Sequence, residues 1–231
     1  MKSIPLVISC EHAVNFVPKE YEHLFSNEKE IPETHRGYDM GAKEIAEYLC
    51  DSFKVPLVTG TICRLMVDLN RSIKNPALFS SFSRNMSKNE KKYLLETWYF
   101  PYRREVESAI HKMIKKKGRA FHLSVHSFTP VLHGKVRSAE IGLLYDPSRT
   151  KEKELCSGWK RELMKVLPNM RVRCNYPYRG ITDGFTVSLR KQFSSDHYVG
   201  VELEVNQGVT NNETLLKGLE QTIQAFSKYQ V

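Results

Sequence analysis

The sequence predicts an α/β protein in which a parallel or mixed sheet is covered by helices on both faces. Three observations carry this prediction. Short, nearly continuous apolar runs such as IPLVISC (residues 4–10) and FHLSV (121–125) have the length and composition of strands buried on both sides. Segments with apolar residues at helical spacing lie between them. The two kinds of segment alternate along the chain, as crossover connections between parallel strands require.

Taken in order, residues 4–10 form the first strand. In DMGAKEIAEYL (39–49), Ala42, Ile45, Ala46 and Leu49 make one apolar helical face, with Asp39 placed to cap its start. VPLVTG (55–60) and TICRLMVDL (61–69) read as two further strands. Residues 87–117 are mostly helical; Ser87 with Glu90 three residues later is a capping-box signature, and Pro101 splits or kinks the helix. Residues 121–125 and AEIGLLYD (139–146) are strands, 152–167 an amphipathic helix, MRVRC (170–174) a short strand, VGVELEV (199–205) a strand, and 212–229 the closing helix. No repeat, low-complexity tract or linker divides the chain, and 231 residues suit one medium-sized domain over 1–231.

Composition narrows the function. With 41% hydrophobic and 26% charged residues the chain is not globally disordered. A net charge of +9 admits nucleic acid, a membrane surface or a small anionic substrate. However, Lys112, Lys115, Lys116, Lys117 and Arg119 gather at the end of one helix, where cations complement its dipole. The other basic residues are scattered, without the aromatic–basic interleaving of single-strand binders, which disfavours nucleic acid. Five cysteines, odd in number and without a CxxC, indicate neither a zinc ribbon nor a disulfide framework. The N-terminal MKSIPLVISCEH lacks the shape of a signal peptide, and no apolar run approaches the roughly 20 residues that span a bilayer. A cytoplasmic, reducing setting without a membrane is expected.

In open α/β sheets ligands bind beyond the carboxyl ends of the strands, and the unusual polar residues fall there. The first strand runs into Glu11-His12, RLMVDL into Asn70-Arg71, and FHLSV into His126; the last strand carries Glu202, Glu204 and Asn206, and Asp39 opens the first helix. Two histidines and a carboxylate at the mouth of a sheet are the ligand set of a catalytic zinc. A further carboxylate outside that set can take a proton from water and pass it to a leaving group. Arginine beside asparagine suits a substrate carboxylate. The parts together fit metal-assisted hydrolysis of an amide that bears a free carboxylate.

The stretches ISCEHAVNFVP, GYDMGAKEIAEYL, RLMVDLNRS, LSVHSFTP, EIGLLYD, NYPYRGITDGF and VELEVNQG occur in the order found in the N-formylglutamate amidohydrolase family, which the chain resembles over nearly its whole length. A Pro-His pair typical of that family is Glu11-His12 here, as in a subgroup of predicted amidohydrolases. The resemblance implies a zinc-carboxypeptidase-like fold, a three-layer α/β/α sandwich with a central mixed, mostly parallel sheet. It also implies a divalent metal, zinc before others, held by His12 and His126. The carboxypeptidases place their third ligand three residues after the first histidine, where this chain has Asn15, so Asp39 is taken as third ligand, with Glu11 second in line. Asn70 and Arg71 match the pair that grips a substrate carboxylate, with Arg64 supporting. The family's Glu-apolar-Asn pattern falls on Glu204-Val205-Asn206, which makes Glu204 the base and Glu202 the extra carboxylate. The substrate class implied is an N-acyl amino acid or similar small carboxylate-bearing amide. Two alternatives stand beside it: a non-catalytic anion-binding or regulatory protein on the same fold, and a carboxypeptidase of short peptides.

Overall fold

A computed structural model of the chain describes residues 4–225. Strand β1 (Leu6–Cys10) is followed by helix α1 (Ala42–Phe53) and the short strand β2 (Leu57–Thr59). Helix α2 (Lys88–Leu94) and helix α3 (Phe100–Lys117) lead into β3 (Ala120–Phe128). A small hairpin, β4 (Val131–Leu132) with β5 (Lys135–Val136), precedes β6 (Ile141–Leu144), α4 (Thr150–Val166) and β7 (Val172–Cys174). Helix α5 (Phe185–Gln192), β8 (Tyr198–Asn206) and α6 (Glu213–Ala225) complete the described elements. The part of the expected closing helix beyond residue 225 lies outside the described residues.

Six strands form one sheet in the order β2-β1-β3-β8-β6-β7. Every neighbouring pair is parallel except β6 with β8. The alternation of side chains along a strand divides the interior into two cores. On one face Leu6, Ile8, Leu123, Val125, Val201 and Leu203 pack with α1, α4 and α6. On the other Val7 and Tyr198 pack with α3 and α5 and with residues 62–69. The result is the three-layer α/β/α sandwich with a mixed, mostly parallel sheet. No helix among the described residues is long and apolar enough to cross a membrane.

Three local expectations change. TICRLMVDL is not a strand. Ile62, Cys63, Met66, Val67 and Leu69 are buried as a strand's would be. Their backbone donors, however, go to loops rather than a ladder: Cys63 N–H to Phe16 O, Arg64 N–H to Gly37 O and Asp68 N–H to Leu78 O. Asp39 does not cap α1, which starts at Ala42 after Gly41 in a left-handed conformation with φ of 79°. A Cβ at Gly41 would also overlap Thr210, so glycine is doubly required there. The helical stretch 88–117 widens into a π turn, Leu95–Tyr99, just before Pro101, whose missing N–H interrupts the ladder. The capping box is present, with Glu90 N–H donating to Ser87 and Ser87 N–H to Glu90.

Candidate active site

β1, β3 and β8 run parallel, so their carboxyl ends open together. Side chains facing the α3 and α5 layer are polar near those ends. Past β1, Glu11 and His12 turn into the loop; β3 contributes Ser124 and His126, and β8 contributes Glu202 and Glu204. Asp39 arrives from the loop before α1, where its N–H donates to His12 O at 3.0 Å. Of the two roles its residue type allowed, helix cap and ligand, the carboxylate does not cap α1 but lies against both histidines.

The Nδ1 atoms of His12 and His126 lie 3.2 and 2.9 Å from one Asp39 oxygen, Oδ2, and all three residues are buried. One donor atom from each lies within 4.8 Å of the others, so these side chains could hold a metal. The donor set fits zinc: two imidazole nitrogens and a carboxylate oxygen, close enough to share an ion at bond lengths of roughly 2 Å. Each ring has a carboxylate behind it. His12 Nε2 is 2.8 Å from Asp68 Oδ1, and His126 Nε2 is 3.1 Å from Glu11 Oε2. Glu11, second in line as a ligand, thus sits behind His126 rather than beside Asp39.

Charge is arranged to match. Burial alone would raise the Asp39 carboxyl, but His12, His126 and Arg64 outweigh it and hold it well below the usual range. Burial opposes charge on His126, yet its hydrogen bonds to Asp39 and Glu11 lift the imidazole well above its ordinary value. Glu11 and Asp68 are lowered against their own burial, Glu11 chiefly by His126 and Asp68 by His12 and Arg64. The cluster is built to stabilise positive charge between its carboxylates.

His126 and Glu204 are direct partners across the β3–β8 ladder, and so are Ser124 and Glu202. Both glutamates are buried, but their surroundings differ. Glu202 accepts the Thr186 hydroxyl of α5. Glu204 Oε2 is buried with no hydrogen-bond partner. Burial pushes the Glu204 carboxyl up to about 8, with Asp39 and Glu202 adding to the rise and His126 and Arg64 opposing it.

On the other side of the cluster, Arg64 reaches Asp39 at 3.2 Å and Asp68 at 3.3 Å. Asp68 also accepts Asn70 N–H at 3.0 Å and lies 3.7 Å from Arg71 Nε. It therefore ties His12 to both arginines. Arg71 Nη1 donates to Asp183 O at 2.7 Å, while its Nε is buried without a hydrogen-bond partner. The Asn70 amide oxygen accepts Phe185 N–H at 2.6 Å. His12, Asp39, Arg64, Asn70, Arg71, His126 and Glu204, the residues singled out in the sequence, all line one pocket of about 140 Å³.

The sequence profile of the N-formylglutamate amidohydrolase family matches residues 4–210. The chain belongs to the N-formylglutamate amidohydrolase family. Among solved structures, this family member is similar to a gene product of Agrobacterium tumefaciens, with 25% identity and a TM-score of 0.82 over 98% of this chain and 92% of that one. It is also similar to an N-formylglutamate amidohydrolase from Ralstonia eutropha, with 19% identity and a TM-score of 0.71 over 99% of this chain and 94% of that one. No curated protein sequence matches it. Membership assigns an amidohydrolase-type hydrolase that acts on a small molecule.

Tyr178, Thr182 and Asp183 also line this amidohydrolase-family pocket, and reading the residues for chemistry missed them. They lie on the loop 175–184, whose NYPYRGITDGF motif was the available signal. Asp183 accepts Ser72 N–H at 3.0 Å and the Asn75 amide at 2.6 Å, which clips this loop to the one before α2.

Proposed function

We propose that the protein is a metal-dependent amidohydrolase that cleaves the amide bond of an N-acyl amino acid or a similar small carboxylate-bearing amide. The observation that carries this reading is the convergence of the predicted ligands, base and anion-binding residues on one pocket. His12, Asp39 and His126 would hold the divalent cation, zinc before others. When bound, it supplies Lewis acidity, polarising an amide carbonyl and making a water more acidic. Glu204 receives the proton of the attacking water and delivers it to the departing amine nitrogen. Its unpartnered Oε2 leaves an oxygen available for that transfer.

Arg71 and Asn70 orient the substrate by its carboxylate. Arg71 Nε, 3.7 Å from Asp68, makes no hydrogen bond, and the Asn70 oxygen is taken by Phe185 N–H, which leaves its amide hydrogens for an anion. Arg64, paired to Asp39 and Asp68, holds the two halves of the site in register. The pocket of about 140 Å³ favours small substrates.

The test combines metal analysis with a substrate panel. The wild-type protein should carry one divalent ion per chain and His126→Ala should lose it; full occupancy in that variant removes His126 from the ligand set. N-acyl amino acids should be hydrolysed in preference to dipeptides. The reverse preference identifies a carboxypeptidase, and turnover of neither leaves the anion-binding alternative.

A further inference from the structure

The geometry points to Glu11 as the positioning residue of His126: its carboxylate takes the imidazole Nε2–H and leaves Nδ1 as the nitrogen offered to a divalent cation. The inference rests on the reading that His12, Asp39 and His126 hold such an ion. It extends that reading to the residue immediately before a ligand, so that one dipeptide supplies a ligand and the support of the other.

Glu11 is completely buried, and a carboxylate in such a place needs donors on both oxygens. Oε1 accepts the hydroxyls of Ser9 at 3.0 Å and Tyr102 at 2.9 Å. Oε2 accepts Ser124 at 2.6 Å and faces His126 Nε2 at 3.1 Å. The Ser124 oxygen, having spent its proton on Glu11, also lies 2.9 Å from His126 Nε2. That nitrogen therefore meets only acceptors and must carry a proton. Nδ1 faces the Asp39 carboxylate at 2.9 Å, so the metal-free ring is protonated there as well; a divalent cation would replace that Nδ1 proton, while Nε2–H stays on Glu11. Ser9 and Tyr102 fix the far oxygen, which sets the carboxylate plane and through it the ring.

This arrangement requires a carboxylate, not merely a polar side chain of that length. A glutamine at position 11 offers one accepting oxygen and one donating NH2 group. It would set a donor against either the Ser9–Tyr102 pair or the Ser124–His126 pair. Removing a carboxylate behind a ligating histidine commonly costs about 10–100-fold in metal affinity.

The experiment uses the full chain, stripped by chelator and reloaded with cobalt(II), read by competition with a chromophoric chelator and by its ligand-field absorption. Glu11→Gln should bind cobalt about 10–100-fold more weakly than wild type, with shifted ligand-field bands. A purely structural role for Glu11 would lower the melting temperature of the stripped protein and leave affinity and bands unmoved, and that outcome overturns the inference. Nitrogen NMR of the zinc-loaded wild type decides the matter even where Glu11→Gln does not fold. His126 should be bound through Nδ1 and protonated at Nε2; the opposite assignment also overturns the inference. Wild-type protein that binds no cobalt overturns the metal reading and the inference together, whereas wild-type affinity retained in Glu11→Gln overturns the inference alone.

Discussion

Replacing Glu204 with glutamine should stabilise the metal-free protein, increasingly so as the pH rises. Glu204 is 5% exposed and one of its oxygens has no partner. Its carboxyl is pushed up from the ordinary 4.5 to about 8, foremost by burial. A group raised in this way binds more protons in the folded than in the unfolded state between those two values. Its contribution to stability is whole below the unfolded pKa and is lost as pH rises through the folded one. The slope over that window is about 1.4 kcal/mol per pH unit at most, and integrating it gives a loss of about 3.5 kcal/mol between pH 5 and pH 8. Glutamine does not titrate, so the difference between the two proteins isolates this loss, since groups common to both cancel to first order. The assay is urea unfolding of wild type and Glu204→Gln in chelator at several pH values. A stability difference that stays flat between pH 5 and 8, or that favours wild type more at high pH, refutes the reasoning: Glu204 would then be solvated or paired.

Two further outcomes are expected. Arg71→Ala should raise the KM for an N-acyl amino acid by roughly tenfold or more while changing kcat less, because a charged hydrogen bond to the substrate anion is worth about 1.5–3 kcal/mol; an unchanged KM in steady-state kinetics would place the substrate carboxylate elsewhere. Gly142→Ala should destabilise the fold by about 1–3 kcal/mol, since its Cβ would overlap the Tyr176 carbonyl and crowd Glu204 at 3.1 Å; a wild-type guanidinium midpoint would show that the 175–184 loop is not seated on β6.

How much of this could be read beforehand depended on which physical signal each residue left. β1, β3 and β8 were legible because strands buried on both faces leave continuous apolar runs, and the polar residues at their ends stood out against them. The run 61–69 left the same signal for a different reason: it fills the core beneath α3 as a loop, and burial alone does not reveal where backbone hydrogen bonds go. Helix α5 is only eight residues long and follows the turn-rich ITDGF, too short for its periodicity to register. Asp39 looked like a helix cap or a ligand by residue type alone, and only its approach to both histidines separates the two roles. Glu11 showed the limit most clearly. Its neighbour His12 suggested a ligand, but its partners Ser9, Tyr102, Ser124 and His126 are brought together only by strand pairing and by α3.

The pairing of His126 with Glu204 has a consequence for how such a site changes over time. Their separation is a ladder spacing, fixed by backbone hydrogen bonds between two central strands. Asn70, Arg71, Tyr178 and Asp183 instead ride on two loops joined chiefly through Asp183. On the proposed function, proton handling belongs to the strand ladder and substrate choice to the two clipped loops. The loops can therefore be rewritten without disturbing the β3–β8 pairing that holds His126 beside Glu204.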